Sequence, residues 1–192
     1  MGEQYPPSSD ELPHMFTPGI GRIATAGGSQ LVYDVGVDRI QVTDHARLDA
    51  AGHFYFIFAA GVTFSDELRT MTFTIRTRHS KADPALHPEL RGGVLVGQAI
   101  NYFDTSAARP LDAIKARWSG RDKGMTTNYD QYWQALEGIP NPTLDQCKQA
   151  AAGTWTGNLA CAHGFTTITS PIYDETDEVT TYFIRNDAAV RR

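Results

Sequence analysis

The sequence predicts a mixed α/β fold, a largely antiparallel sheet flanked by helices, formed by a single domain over residues 21–192 behind a flexible arm over residues 1–20. Three observations predict it. Apolar residues fall at strand spacing from Gly21 to Val42, from His53 to Phe58 and from Met71 to Thr77. The period lengthens to helical spacing from Leu90 to Phe103. Strand spacing returns after Gly164, once two or more helical segments have passed.

Composition bounds this reading. The chain has 192 residues, 41% hydrophobic and 20% charged, enough to bury a core and too balanced for a disordered tail. No apolar run approaches the ~20 residues needed to cross a bilayer, so no membrane segment is expected. The start, Met1 to Glu11, lacks the basic and apolar parts of a signal peptide, which points to a cytoplasmic protein or to a secreted module of a longer chain. A net charge of −5 argues against a broad nucleic-acid surface, which needs clustered Lys and Arg. The basic groups Arg76, Arg78, His79, Lys81 and Arg117, Arg121, Lys123 read as solvated strand ends and loops. Cys147 and Cys161 lie fourteen positions apart, about 21 Å if one continuous helix carried both, and read as reduced thiols.

Each element has its own signal. Pro6, Pro7, Pro13 and Pro18 break regular structure in the arm. Leu31, Tyr33 and Val35 share one face of a strand, and Arg39 to Val42 alternates cleanly. His53 to Phe58 is apolar on both faces, as in a central covered strand. Gly61 to Arg69 reads as the turn before a strand with Met71, Phe73 and Ile75 inward and Thr72, Thr74 and Arg76 outward. The short strand from Asp112 places Ile114, Ala116 and Trp118 on one face. Asn128 can cap a helix that buries Tyr132, Trp133 and Leu136. Thr143 and Gln146 have capping-box spacing and open a helix through Ala152, with Gly153 and Gly157 bending its second half. Two closing strands follow, separated by the acidic turn from Asp174 to Glu178, and the early and late strands are expected as antiparallel neighbours.

The chemistry concentrates where the strand at Met71 leads through a loop into His87-Pro-Glu-Leu-Arg-Gly-Gly and the next helix. Free amides and the dipole at a helix start favour a phosphate or pyrophosphate. Gly92 and Gly93 would let a ligand approach the backbone, and Arg91 adds charge. The bland reading is a tight turn that lets the helix pack on the sheet. This segment resembles the acyl-CoA-binding stretch of the GNAT acyltransferase superfamily. The helix ending at Leu159 to Phe165, followed by two strands, is similar to that fold's closing helix and final hairpin. The resemblance implies an N-acyltransferase whose cofactor, acyl-CoA, lies on the amides of Arg91, Gly92, Gly93, Leu95, Val96 and Gly97. A small-molecule or protein amine would attack the thioester beside the 112–118 strand. His79 is the candidate base, Trp118 is expected to reach a pocket, and Asn128 is a cap or a substrate contact. For Trp133 and Trp155 the core is expected.

Val94 and Val96 stand where the family's loop carries glycines, which favours the alternative, a non-catalytic binding or effector module on the same scaffold. Trp118, Asn128, Ala151, Ala152, Thr154 to Gly157 and Gly164-Phe-Thr together are also similar to C-terminal modules of bacterial polymorphic toxins. The six histidines show no i,i+4 pair for a helical metal site, and the acidic turn lacks the spacing of a calcium loop. Cys161 and His163, two apart, face different ways on a helix and make a poor nucleophile–base pair.

Overall fold

A computed structural model describes residues 15–23, 31–65, 67–76, 91–120, 127–174 and 177–186. Strands β1 (Gly19–Ile23), β2 (Leu31–Val35), β3 (Arg39–Leu48), β4 (Phe54–Ser65) and β5 (Leu68–Ile75) come first. Helix α1 (Gly92–Thr105), strand β6 (Ala113–Ser119) and helices α2 (Asn128–Leu136), α3 (Leu144–Ala152) and α4 (Trp155–Ala162) follow. Strands β7 (Thr167–Ile168), β8 (Ile172–Asp174) and β9 (Glu178–Ile184) close the chain.

Among the described residues, nine strands join one sheet in the order β1-β2-β3-β4-β5-β6-β9-β7, with β8 also paired to β9. The ladders of β1–β2, β2–β3, β3–β4, β6–β9, β7–β9 and β8–β9 are antiparallel. The fold class is mixed α/β with a mostly antiparallel sheet, as the patterning predicts. The expected meeting of early and late strands is corrected in one respect. The middle strand β6 lies between them, parallel to β5 (Thr70 with Ala113, Met71 with Ile114) and antiparallel to β9, so early and late strands are not direct neighbours. A parallel pair needs a crossover rather than a hairpin, and α1 is that crossover's helix.

The alternations hold at Met71–Arg76 and along β6, but the strand read as covered on both faces from His53 is buried only at Ile57 and Phe58, with Phe54 49% exposed. Thr72, Thr74 and Arg76 are exposed and Met71 is fully buried, while Ile114, Ala116 and Trp118 are all buried along β6. The segment read as a turn from Gly61 to Arg69 is shorter than expected. β4 runs on to Ser65 and β5 begins at Leu68, so Arg69 lies inside a strand and is 2% exposed. Alternation was a weak guide there because Arg69 and Thr70, both polar, are both buried. The expected continuous helix from Thr143 breaks at Gly153 and restarts as α4, so Cys147 and Cys161 lie on different helices.

The chain divides into two compact units, Met1–Thr63 with Phe73–Pro110, and Phe64–Thr72 with Leu111–Arg192. In the first unit, α1 buries Leu95, Val96, Ala99, Ile100, Tyr102 and Phe103. The Tyr102 hydroxyl donates to the Gly36 carbonyl at 3.1 Å, which ties the helix to the β2–β3 turn. Of the stretch read as an arm, residues 1–14 lie outside the described residues. From Met15 the chain is anchored: its N–H donates to Gln98 Oε1 at 3.0 Å, and Phe16 is buried against Tyr33 and Phe58.

In the second unit, β6 and β9 pair from Ala113–Ile184 to Ser119–Glu178. Asp112, just before β6, is 3% exposed and binds the start of β5 in both directions. Its Oδ2 accepts the Arg69 N–H at 2.8 Å and its own N–H donates to the Arg69 carbonyl at 2.9 Å. The Asp112 carbonyl accepts the Arg185 N–H at 2.9 Å. The buried Asp112, through its side chain and its main chain, holds three chain segments together at the entry to β6.

Candidate functional site

The start of α1 follows from its residues. Arg91 is its N-cap (φ −54°, ψ 140°) and supplies no side-chain cap. The Val94 and Leu95 amides both donate to the Arg91 carbonyl, at 2.9 and 3.2 Å. That leaves Gly92 and Gly93 as the amides ahead of the first intrahelical acceptor. Both glycines are half-buried and Arg91 is exposed.

The amide cradle expected over residues 91–97 therefore contracts. Leu95 and Val96 are 0% exposed, so their side chains belong to the core. The amides of Leu95, Val96 and Gly97 lie at or beyond the point where helix bonding takes them, so none faces a ligand. Gly92, Gly93 and Arg91 remain. The cause is helical periodicity: a helix beginning at Gly92 turns Leu95, Val96 and Ala99 onto one buried face. The candidate base His79 lies outside the described residues.

The helices of the second unit begin differently. Thr127 caps α2 in a reciprocal capping box with Asp130, and Thr143 caps α3 in the box with Gln146 that the sequence predicts. Asn128 is thus the first residue of α2 and not its cap. Its side chain serves another helix, Oδ1 accepting the Thr156 N–H of α4 at 2.8 Å. Gln131 Oε1 takes the Trp155 N–H at 2.6 Å, and Thr154 Oγ1 takes the Gly157 N–H at 3.0 Å. Three successive amides at the start of α4 are occupied by side chains, which leaves Asn128 Oδ1 engaged in structure rather than turned to a substrate.

The tryptophans are sorted opposite to expectation. Trp118 is 6% exposed and packs on the Tyr132 ring at 6.0 Å, whereas Trp133 and Trp155 are 37% and 40% exposed. Trp118 alternates into the core with Ile114 and Ala116, while Trp133 sits next to the inward-facing Tyr132 and so turns toward the surface.

Trp133 belongs to a cluster that sequence reasoning missed. The Tyr129 hydroxyl donates to Asp177 Oδ1 at 2.5 Å and the Tyr173 hydroxyl to the same oxygen at 3.2 Å. Trp133 lies beside both rings, 6.1 Å from Tyr129 and 5.4 Å from Tyr173, at interplanar angles of 62° and 88°. Burial, and then the Asp177 carboxylate, push the Tyr129 phenol up to about 12. The i,i+4 spacing of Tyr129 and Trp133 on α2 was the available signal; the acidic turn gave no sign that it folds back onto that helix.

Other chemistry recedes. Burial pushes the Cys161 thiol up, away from the thiolate a nucleophile requires. Among the described residues, no group of three or more His, Cys, Asp or Glu could hold a metal ion, and no helix is long and apolar enough to cross a membrane. No family model matches the chain, and no curated protein or solved structure is significantly similar to it.

Proposed function

We propose that the chain is a GNAT-like N-acyltransferase, which moves an acyl group from acyl-CoA to an amine. The observation that carries this reading is the start of α1. It opens on Gly92-Gly93 behind an Arg91 that gives no side-chain cap, in the helix that crosses between the parallel strands β5 and β6. Amides at a helix start bind phosphates. Arg91 would add a cationic partner for the CoA pyrophosphate. In the reaction the amine lone pair attacks the thioester carbonyl and the C–S bond breaks. CoA leaves as the thiolate, and the proton lost from nitrogen is taken by a base or by that thiolate. Orientation and removal of the ammonium proton supply most of what the step needs.

Isothermal titration with acetyl-CoA and with CoA tests this, comparing the wild type with Gly93→Glu. A carboxylate at the second helical position is compatible with the helix dipole, so the variant is expected to fold while repelling pyrophosphate. The expected result is wild-type binding weakened about tenfold or more in the variant, roughly 1.4 kcal/mol. A wild type that takes up neither ligand removes the transferase reading. The second reading, a non-catalytic binding or effector module, then stands, favoured by the burial of Leu95 and Val96 at the position of the family's glycine loop.

A further inference from the structure

We propose that the corner formed by Tyr129, Trp133, Tyr173 and Asp177 is a binding site for an alkylated ammonium cation. It lies wholly within the second unit and does not depend on the transferase reading. The corner starts from the end of β6. Gly120, the next residue, donates its N–H to the Asp177 carbonyl at 3.1 Å. A Cβ on Gly120 would lie 2.4 Å from Asp177 Oδ2 and 3.0 Å from Tyr129 Cε1. A side chain at Gly120 would therefore have to displace the Asp177 carboxyl group.

Asp177 has φ +64°, a conformation that Asn and Gly adopt at least as readily. The turn needs a short residue there, and its backbone does not need a negative charge. The charge is nevertheless present, with two phenols donating to Oδ1. Neighbouring Arg117 is engaged by Glu178 through both Nε and Nη2. A phenol that donates to a carboxylate has a more electron-rich ring, which strengthens attraction between the ring face and a cation.

The aromatic surface is partly open. Trp133 is 37% exposed and Tyr173 55%, with the neighbouring Ile172 at 65%. The Trp133 and Tyr173 rings meet at 88°, and the Tyr173 hydroxyl ties this perpendicular pair to the carboxylate. A hard metal ion would want several oxygens, and one carboxylate already accepting two hydrogen bonds is a poor donor set for it. An ammonium bearing methyl groups suits both features, since its charge faces Asp177 and the ring faces while its carbons cover apolar surface.

The test uses the full chain with ¹⁵N label and follows the Trp133 indole N–H resonance. Tetramethylammonium chloride is the probe, sodium chloride the ionic-strength control, and tert-butanol the uncharged ligand of similar shape. The expected result is a saturable shift with tetramethylammonium at roughly 1–10 mM, and none with tert-butanol or sodium. Asp177→Asn keeps the turn geometry and an acceptor for both phenols, and is expected to weaken binding about fivefold or more. Tyr173→Ala removes an exposed wall and is expected to weaken it comparably. Saturation by tert-butanol at the same concentrations, unchanged affinity in both variants, or no saturable shift in the wild type would each overturn the proposal.

Discussion

Two glycine-bearing helix starts, those of α1 and α4, solve the same chemical problem in opposite ways. Every helix begins with amides that have no intrahelical acceptor. At α4 those amides are filled by Gln131, Asn128 and Thr154, and Gly157 is there for packing. A Cβ on Gly157 would lie 2.2 Å from the Ala151 carbonyl oxygen and 2.6 Å from that of Ala152. At α1 the N-cap is an arginine without a side-chain cap, and the first two helical residues are glycines. Glycine near a helix start therefore means two different things in this chain. In α4 it admits protein, and in α1 it opens a helix whose N-cap side chain makes no capping hydrogen bond.

Three substitutions test that contrast, beginning with the largest effect. Gly157→Ala forces a methyl group into backbone carbonyls that cannot swing aside. It is expected to cost about 3 kcal/mol in urea denaturation, and a loss below about 0.5 kcal/mol would show that the α3–α4 approach is not tight. Asn128→Ala removes the acceptor of the Thr156 N–H across two helices. A loss of about 1.5 kcal/mol is expected, with any CoA affinity unchanged; a selective loss of CoA binding at full stability would instead make Asn128 a ligand contact. Arg91→Ser supplies the cap that α1 lacks. Stability is expected to rise by about 0.5–1 kcal/mol while CoA binding weakens, and the contrast fails if stability does not change, because the start of α1 would then already be satisfied.

The fold was largely legible because strand and helix periods are local. The alternation at Met71 to Arg76, the burial of Ile114, Ala116 and Trp118, and the Thr143–Gln146 box each follow from residues within one or two turns of one another. At the candidate site, the beginning of a helix at Arg91-Gly92-Gly93 was legible. Treating residues 94–97 as part of the same loop failed because a helix, once begun, uses its amides internally and turns every third or fourth side chain inward. Asn128 showed as a capping residue, but its target lies twenty-eight positions away. Trp118 was read as functional for standing at a strand end, where alternation in fact carried it into the core. The Tyr129–Asp177 bond joins residues forty-eight apart, with no local pattern to announce it.

Sequence alone determined the fold class, the spans of most strands and helices, and the helix start that opens on Gly92-Gly93. Those properties follow from backbone propensity and apolar spacing, which act over a few residues. Tertiary structure decided the parallel joint between β5 and β6, which tryptophans face outward, and which helix start is sealed. It also decided that a carboxylate at a hairpin tip meets two tyrosine hydroxyls whose rings flank Trp133. Such pairings depend on where distant segments are brought together, and a hydrogen bond or ring contact a few ångströms long leaves no periodic trace along the chain.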